Sequence, residues 1–159
     1  MSLVSGPVAL AEPAGVAVIH VETAQEMLEA CQSVFPSTDI AICAAAVADM
    51  RPARAADRKL KKGINDEELS AIKLTENPDI LATLGASKDR QVVVGFAAET
   101  NDVIENAKKK LSKKKACMII ANEVGSDKAF GKDDDEIWLV RADETVHIGP
   151  ALKTELAHA

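Results

Sequence analysis

The 159-residue sequence predicts an α/β fold with a mostly parallel sheet, helices packed against it and an antiparallel hairpin at the sheet edge. Three observations carry this. DIAICAAA (39–46) and QVVVGFAA (91–98) are apolar without alternation, as strands covered on both faces are. Stretches of helical period lie between such runs, and a strand–helix–strand rhythm implies parallel βαβ crossovers with helices on both sheet faces. The tail differs: EIWLV and ETVHI flank Arg141-Ala142-Asp143 and read as two antiparallel strands joined by a turn.

Taken in order, Val4-Ser5-Gly6-Pro7 reads as the end of a strand, and VAVIHV (16–21) is a short β-branched one. Thr23, followed three residues later by Glu26, is a capping box that opens a helix. Its apolar positions Ala24, Met27, Leu28, Cys31, Val34 and Phe35 lie on one face, and Pro36-Ser37 stops it. Asn77-Pro78-Asp79 predicts a cap, a proline at the first helical position and an acid in the first turn before Ile80, Leu81 and Leu84. A further helix is predicted over 102–115 with Ile104, Ala107 and Leu111 inward, then the strand CMIIAN (117–122), and residues 151–159 begin a last helix. The stretch from Arg51 to Glu68 is polar, rich in Lys and Arg and without periodicity. We expect residues 52–68 to form a mobile lid loop.

The length suits a single domain, 1–159. No run approaches the roughly 18 to 20 uncharged residues that span a bilayer, so a soluble, cytoplasmic protein without membrane contact is expected. A net charge of −6 argues against nucleic acid as a partner, and any anionic ligand must be met by local Lys and Arg clusters. Cys31, Cys43 and Cys117 lie far apart in apolar segments, with no CxxC pair and no His at ligand spacing. They read as core thiols, and no metal-binding residues are assigned. His20, His147 and His158 are equally isolated.

In an open α/β sheet, ligands bind outside the carboxyl ends of the strands. Three such ends carry unusual residues: Ala44-Ala45-Ala46 with Asp49, the run from Gly95 to Thr100, and Ala121-Asn122-Glu123. Small residues there let a flat base approach the backbone, which suits a nucleotide. Asp49 then accepts hydrogen bonds from ribose hydroxyls and Phe96 gives the base an apolar wall. The alternative is that the alanines pack against helices, Asp49 is a cap and Phe96 is core. Lys110 and Lys114, four residues apart, share a helix face. They form a phosphate clamp if that face turns to the carboxyl edge, and otherwise belong to a solvated face. Lys59, Lys61 and Lys62 favour a lid over an anion.

AAAVADMRP, RKLKKG, IKLTENPDIL, VVVGFAAET and ACMIIANEV occur in this order in phosphopantothenoylcysteine synthetase, and the chain resembles that family over almost its whole length. The family is usually the C-terminal half of a bifunctional coenzyme A biosynthesis flavoprotein. The resemblance implies a Rossmann-like three-layer fold and CTP-dependent ligation of 4′-phosphopantothenate to cysteine through an acyl-cytidylate. Mg²⁺ accompanies CTP, the family is a homodimer, and FMN belongs to a decarboxylase half that this chain does not contain. Carried over by motif, the backbone of Cys43, Ala44 and Ala45 lines the cytosine and Asp49 holds the nucleotide. Lys59 is the catalytic lid lysine, meeting the phosphates or the reacting carboxylate. Pro78, Asp79, Ile80 and Leu81 border the base, Phe96 packs on it, and Lys110 and Lys114 bind phosphate oxygens. Met50 stands where the family often has an aromatic residue. The family's first strand, phosphate loop and helix, with a catalytic asparagine, precede the matching region, so the chain is expected to be a fragment of low activity that tends to associate. A dinucleotide-binding module lacks support, since no GxGxxG occurs. A non-catalytic nucleotide-binding or partner-binding Rossmann-like module is the alternative.

Overall fold

The computed structural model describes residues 1–54, 56–125 and 131–159, apart from the side chains of Asp66 and Glu68. Ala55 and those two side chains, which fall in the expected lid, lie outside the described residues. The chain divides into two compact units, Met1–Ala30 with Ala46–Asp79, and Cys31–Ala45 with Ile80–Ala159. Neither is contiguous in sequence, so no linker marks a boundary between them.

In the first unit, β1 (Ser2–Ser5) and β2 (Ala17–His20) pair in parallel. Helix α1 (Ala24–Val34) opens as expected: Glu26 N–H donates to Thr23 Oγ1 at 3.1 Å, and Thr23 N–H and Glu22 N–H donate to the Glu26 carboxylate at 3.0 and 2.8 Å. These bonds, the backbone N–H of Glu22 foremost, hold the Glu26 carboxyl below its ordinary range. Met27 is buried, and the helix ends within the second unit, where Phe35 is buried in a 3₁₀ turn over Phe35–Ser37. Farther on, β4 (Met50–Pro52) and β5 (Leu74–Glu76) form an antiparallel ribbon, and between them lies the short helix α2 (Asp66–Ser70).

The segment expected to be a loop over 52–68 therefore hangs from this ribbon and enters α2 at its end. Ala53 N–H donates to Lys73 C=O at 2.8 Å at the neck, and the Lys61 carbonyl accepts Ile64 and Asn65 N–H. Arg54, Arg58 and Lys59 are exposed and outside helix or strand. Limited trypsin digestion should cut at these positions on the order of tenfold faster than anywhere in the five-stranded sheet, because little burial resists local opening there. Resistance equal to that of the sheet would contradict a mobile lid.

The second unit holds a five-stranded sheet in the order β3 (Ile40–Cys43), β6 (Val92–Glu99), β7 (Met118–Glu123), β8 (Asp134–Val140), β9 (Thr145–Leu152). The first three strands run parallel and the last two are antiparallel, which places the predicted hairpin at the edge. Arg141 N–H bonds the Glu144 carbonyl at 2.9 Å to close its turn. Residues 153–156 form α5 (Lys153–Leu156). The core is Val93, Val94, Ala97, Ala107, Leu111, Ile119, Ala121 and Val140.

Helices α3 (Ile80–Ser87) and α4 (Val103–Lys114) pack together on the sheet. A Cβ at Gly85 would stand 2.0 Å from the Lys114 carbonyl oxygen, so the two helices touch backbone to backbone there. Lys88 Nζ donates to the carbonyls of Gly85 at 3.2 Å and Lys115 at 2.6 Å, placing a cation at the negative ends of both helices. Among the described residues, no helix is long and apolar enough to cross a membrane.

Three expectations change. Strand β3 is not covered on both faces: it is the sheet's outer strand, with Ile40 and Ile42 60% and 64% exposed. Ile104 is exposed, because the covered stripe of α4 runs through Val103, Ala107 and Leu111. Helix α3 begins at Ile80, not Pro78, and carries no acid in its first turn. Asn77 does not cap it by the expected route, since its side chain is committed to the β4–β5 ribbon.

Candidate functional site

The sequence-predicted site residues fall in both units. In the second, Cys43 stands opposite Gly95 in the β3–β6 register, and the chain then leaves the strand through Ala44 and Ala45, both exposed at its carboxyl end. Ala97 and Ala121, also small and at strand ends, are about 1% and 0% exposed and serve the core. Gly95 likewise serves packing: a Cβ there would lie 2.4 Å from Leu81 Cδ2 and 3.1 Å from Ile119 Cδ1.

That contact separates two residues read as base neighbours. Leu81 is buried over Gly95, and Phe96, next along β6, points to the opposite sheet face, where it is 40% exposed. The side chains of Leu81 and Phe96 do not share a pocket, and Ile80 is also core, at 8% exposure. Phe96 is the one of the three that offers an apolar surface.

Burial pushes the Cys43 thiol up to about 11, and the nearby Cys31 adds to the effect. A thiol so raised stays protonated at neutral pH and is a poor nucleophile, which fits a residue acting through its backbone. Asn122 donates to Asp135 Oδ2 at 2.9 Å, and Glu99 accepts from Asn106 at 3.2 Å. The polar groups at the ends of β7 and β6 are thus engaged in ordering the hairpin and the start of α4.

Within the lysine-rich helix, Lys110 and Lys114 are half-buried while Lys108, Lys109 and Lys113 are exposed. Lys109 pairs with Glu105 at 2.7 Å, which raises the lysine and lowers the acid. Lys110 and Lys114 therefore do share a face. Helix α4 joins two parallel strands, so it runs back toward their amino ends, and its last turn lies beside the start of β7. The geometry leaves Lys114 at the amino edge, and both lysines belong to the nucleotide site by resemblance alone. A cleft of about 380 Å³ lined by Gln32, Phe35, Pro36, Ser87 and Gln91 also opens at that edge, with no titratable group in its wall.

In the first unit, Asp49 is exposed just before β4. Its carbonyl accepts Asn77 N–H at 2.8 Å. Asn77 Nδ2 donates to the Ala48 carbonyl at 2.8 Å, and Arg51 Nη1 donates to Asn77 Oδ1 at 2.9 Å and to the Glu76 carbonyl at 2.7 Å. The backbone at Asp49 is thus fastened to the segment that leads to Pro78 and Asp79. Sequence reasoning missed Arg51 and took Asn77 for a cap. Lys59 is exposed on the lid segment.

No three His, Cys, Asp or Glu side chains converge among the described residues in a way that would hold a metal ion.

The family model described as "DNA/pantothenate metabolism flavoprotein C-terminal domain" matches residues 1–159. The coenzyme A biosynthesis bifunctional protein CoaBC of Vibrio parahaemolyticus is 48% identical over 141 residues, covering 87% of this chain and 35% of that protein. The protein of the same name from Mycobacterium bovis is 39% identical over 156 residues, covering 91% of this chain and 37% of its own length. The chain thus spans about a third of these relatives. A crystal structure of the C-terminal domain of CoaBC superposes with a TM-score of 0.79 at 39% identity, covering 99% of this chain and 68% of that one. A DNA/pantothenate metabolism flavoprotein from Streptococcus pneumoniae shares the fold, with a TM-score of 0.75 at 18% identity. With a family model matched from end to end and a solved relative at 39% identity, the chain belongs to the DNA/pantothenate metabolism flavoprotein C-terminal domain family.

Proposed function

We propose that this chain is the ligase part of a coenzyme A biosynthesis protein, joining 4′-phosphopantothenate to cysteine at the expense of CTP. The observation that carries this reading is the identity of 39% to 48% with coenzyme A biosynthesis proteins over most of the chain. The exposed Ala44 and Ala45 at the carboxyl end of β3, and an exposed Phe96 on the neighbouring strand β6, support it. We also propose that it works as a homodimer in the cytoplasm.

A free carboxylate is a poor electrophile. In the proposed reaction the phosphopantothenate carboxylate attacks the α-phosphorus of CTP, an O–P bond forms, and pyrophosphate leaves. The cysteine amine then attacks the acyl carbon and releases CMP as the amide forms. Both reactants of the first step are anionic, so cations must neutralise their approach. Lys59 is assigned that role from the lid, and Lys110 and Lys114 are assigned to phosphate oxygens by the family resemblance alone. In the second unit, Cys43, Ala44 and Ala45 read the base edge through backbone groups and Phe96 covers its face, while Ile80 and Leu81 serve the core; Asp49 is assigned to the ribose and Pro78 and Asp79 to the base by the family resemblance alone. Mg²⁺ enters with the triphosphate as part of the co-substrate. Closure of the 52–68 segment keeps water from the activated carboxyl.

The test is pyrophosphate release with CTP, 4′-phosphopantothenate and cysteine, alongside product detection, on this chain and on one extended at its N-terminus. In the extended chain, release that depends on CTP and phosphopantothenate, with amide formed only when cysteine is present, is expected, and in this chain alone far less of both. Release indifferent to phosphopantothenate would contradict the reaction.

A further inference from the structure

We infer that Asn77 is a positioning residue of the nucleotide site, held in its working rotamer by Arg51, and that it acts through Asp49. This rests on the CTP reading above and adds to it residues that the motif carry-over does not assign. The β4–β5 ribbon pairs only three residues on each strand, a length that does not hold its own end in water. Asp49 sits just past that end. Asn77 N–H extends the ladder to the Asp49 carbonyl at 2.8 Å. The next residue, Pro78, has no N–H to extend it further. The Asn77 side chain makes the next bond instead, to Ala48 C=O at 2.8 Å. Two adjacent carbonyls, one on each side of the Asp49 Cα, are thereby tied to one residue.

The amide's orientation is also determined. Arg51 Nη1 donates to Asn77 Oδ1 at 2.9 Å and to Glu76 C=O at 2.7 Å, so the oxygen faces Arg51 and the NH₂ faces Ala48. An aspartate at 77 would keep the bond to Arg51 and lose the donor to Ala48. These bonds lie at exposed positions, where each contributes little to stability. Their consequence is the placement of the Asp49 carboxylate and of the Pro78–Asp79 backbone. A group displaced by an ångström loses most of its effect on a bound ligand.

A double-mutant cycle on CTP binding, measured calorimetrically with MgCTP, tests this with wild type, Asn77→Asp, Asp49→Ala and the double variant. Asn77→Asp should weaken CTP about tenfold and erase the preference for CTP over 2′,3′-dideoxy-CTP, with melting unchanged. In the Asp49→Ala background the same change should have almost no further effect. An undiminished tenfold loss in that background, or a ribose preference that survives Asn77→Asp, would overturn the positioning role while leaving the CTP reading in place. Failure of the wild-type chain to bind CTP would overturn both.

Discussion

Gly85→Ala should lower the stability of the second unit by about 3 kcal/mol, at the upper end of what overpacking a close-packed contact costs. The added Cβ meets the Lys114 carbonyl oxygen at 2.0 Å and the Lys115 carbonyl at 3.1 Å. Neither is the end of a flexible side chain, so α3 and α4 must separate. Separation also draws Lys88 away from one of the two carbonyls it bridges. Gly95→Ala meets Leu81 Cδ2 at 2.4 Å, a side-chain tip that can change rotamer, and should cost less. Gly125→Ala meets nothing within 4 Å and serves as control. Thermal melts should show losses in that order, with Gly85→Ala lower by roughly 6 to 12 °C. A Gly85→Ala melt equal to that of Gly125→Ala would contradict the helix contact.

In a full-length version of the protein, Lys59→Ala should reduce turnover about a hundredfold while changing CTP affinity little, because a lid lysine acts mainly once the site has closed. Lys110→Ala should weaken CTP binding about tenfold with a smaller effect on turnover. Lys109→Ala is the internal control: its ammonium is paired with Glu105 at 2.7 Å on an exposed face, where a pair contributes little. Steady-state kinetics with CTP varied separates the cases. Equal, small effects at all three positions would return the lysines to a solvated helix face and an inert loop, and the placement of Lys114 at the amino edge makes this a demanding test.

What was legible in the sequence was what local chemistry determines. The Thr23–Glu26 box formed as read because its partners lie within one turn. The hairpin around Arg141-Ala142-Asp143 formed because two β-rich runs flank a short turn. The failures share a different cause, in that the deciding partner is remote in sequence. Whether DIAICAAA is covered on both faces depends on its place in the strand order, and it lies at the edge. Asn77 looks like a cap in isolation, but Ala48, 29 residues away, and Arg51, 26 away, claim its side chain. Leu81 and Phe96 look like one apolar wall until Gly95 shows that they occupy opposite faces of β6. Sharing of a helix face by Lys110 and Lys114 was legible from spacing. The direction in which α4 crosses the sheet required the pairing of β6 with β7.

Calorimetric titration of this chain with MgCTP, MgATP and NADH decides whether its site is built for a cytidine nucleotide. CTP should bind, ATP should bind at least tenfold more weakly because backbone groups at Cys43, Ala44 and Ala45 read a pyrimidine edge, and NADH should not bind. Equal affinity for CTP and ATP, a preference for NADH, or no heat with any of the three would contradict a cytidine site.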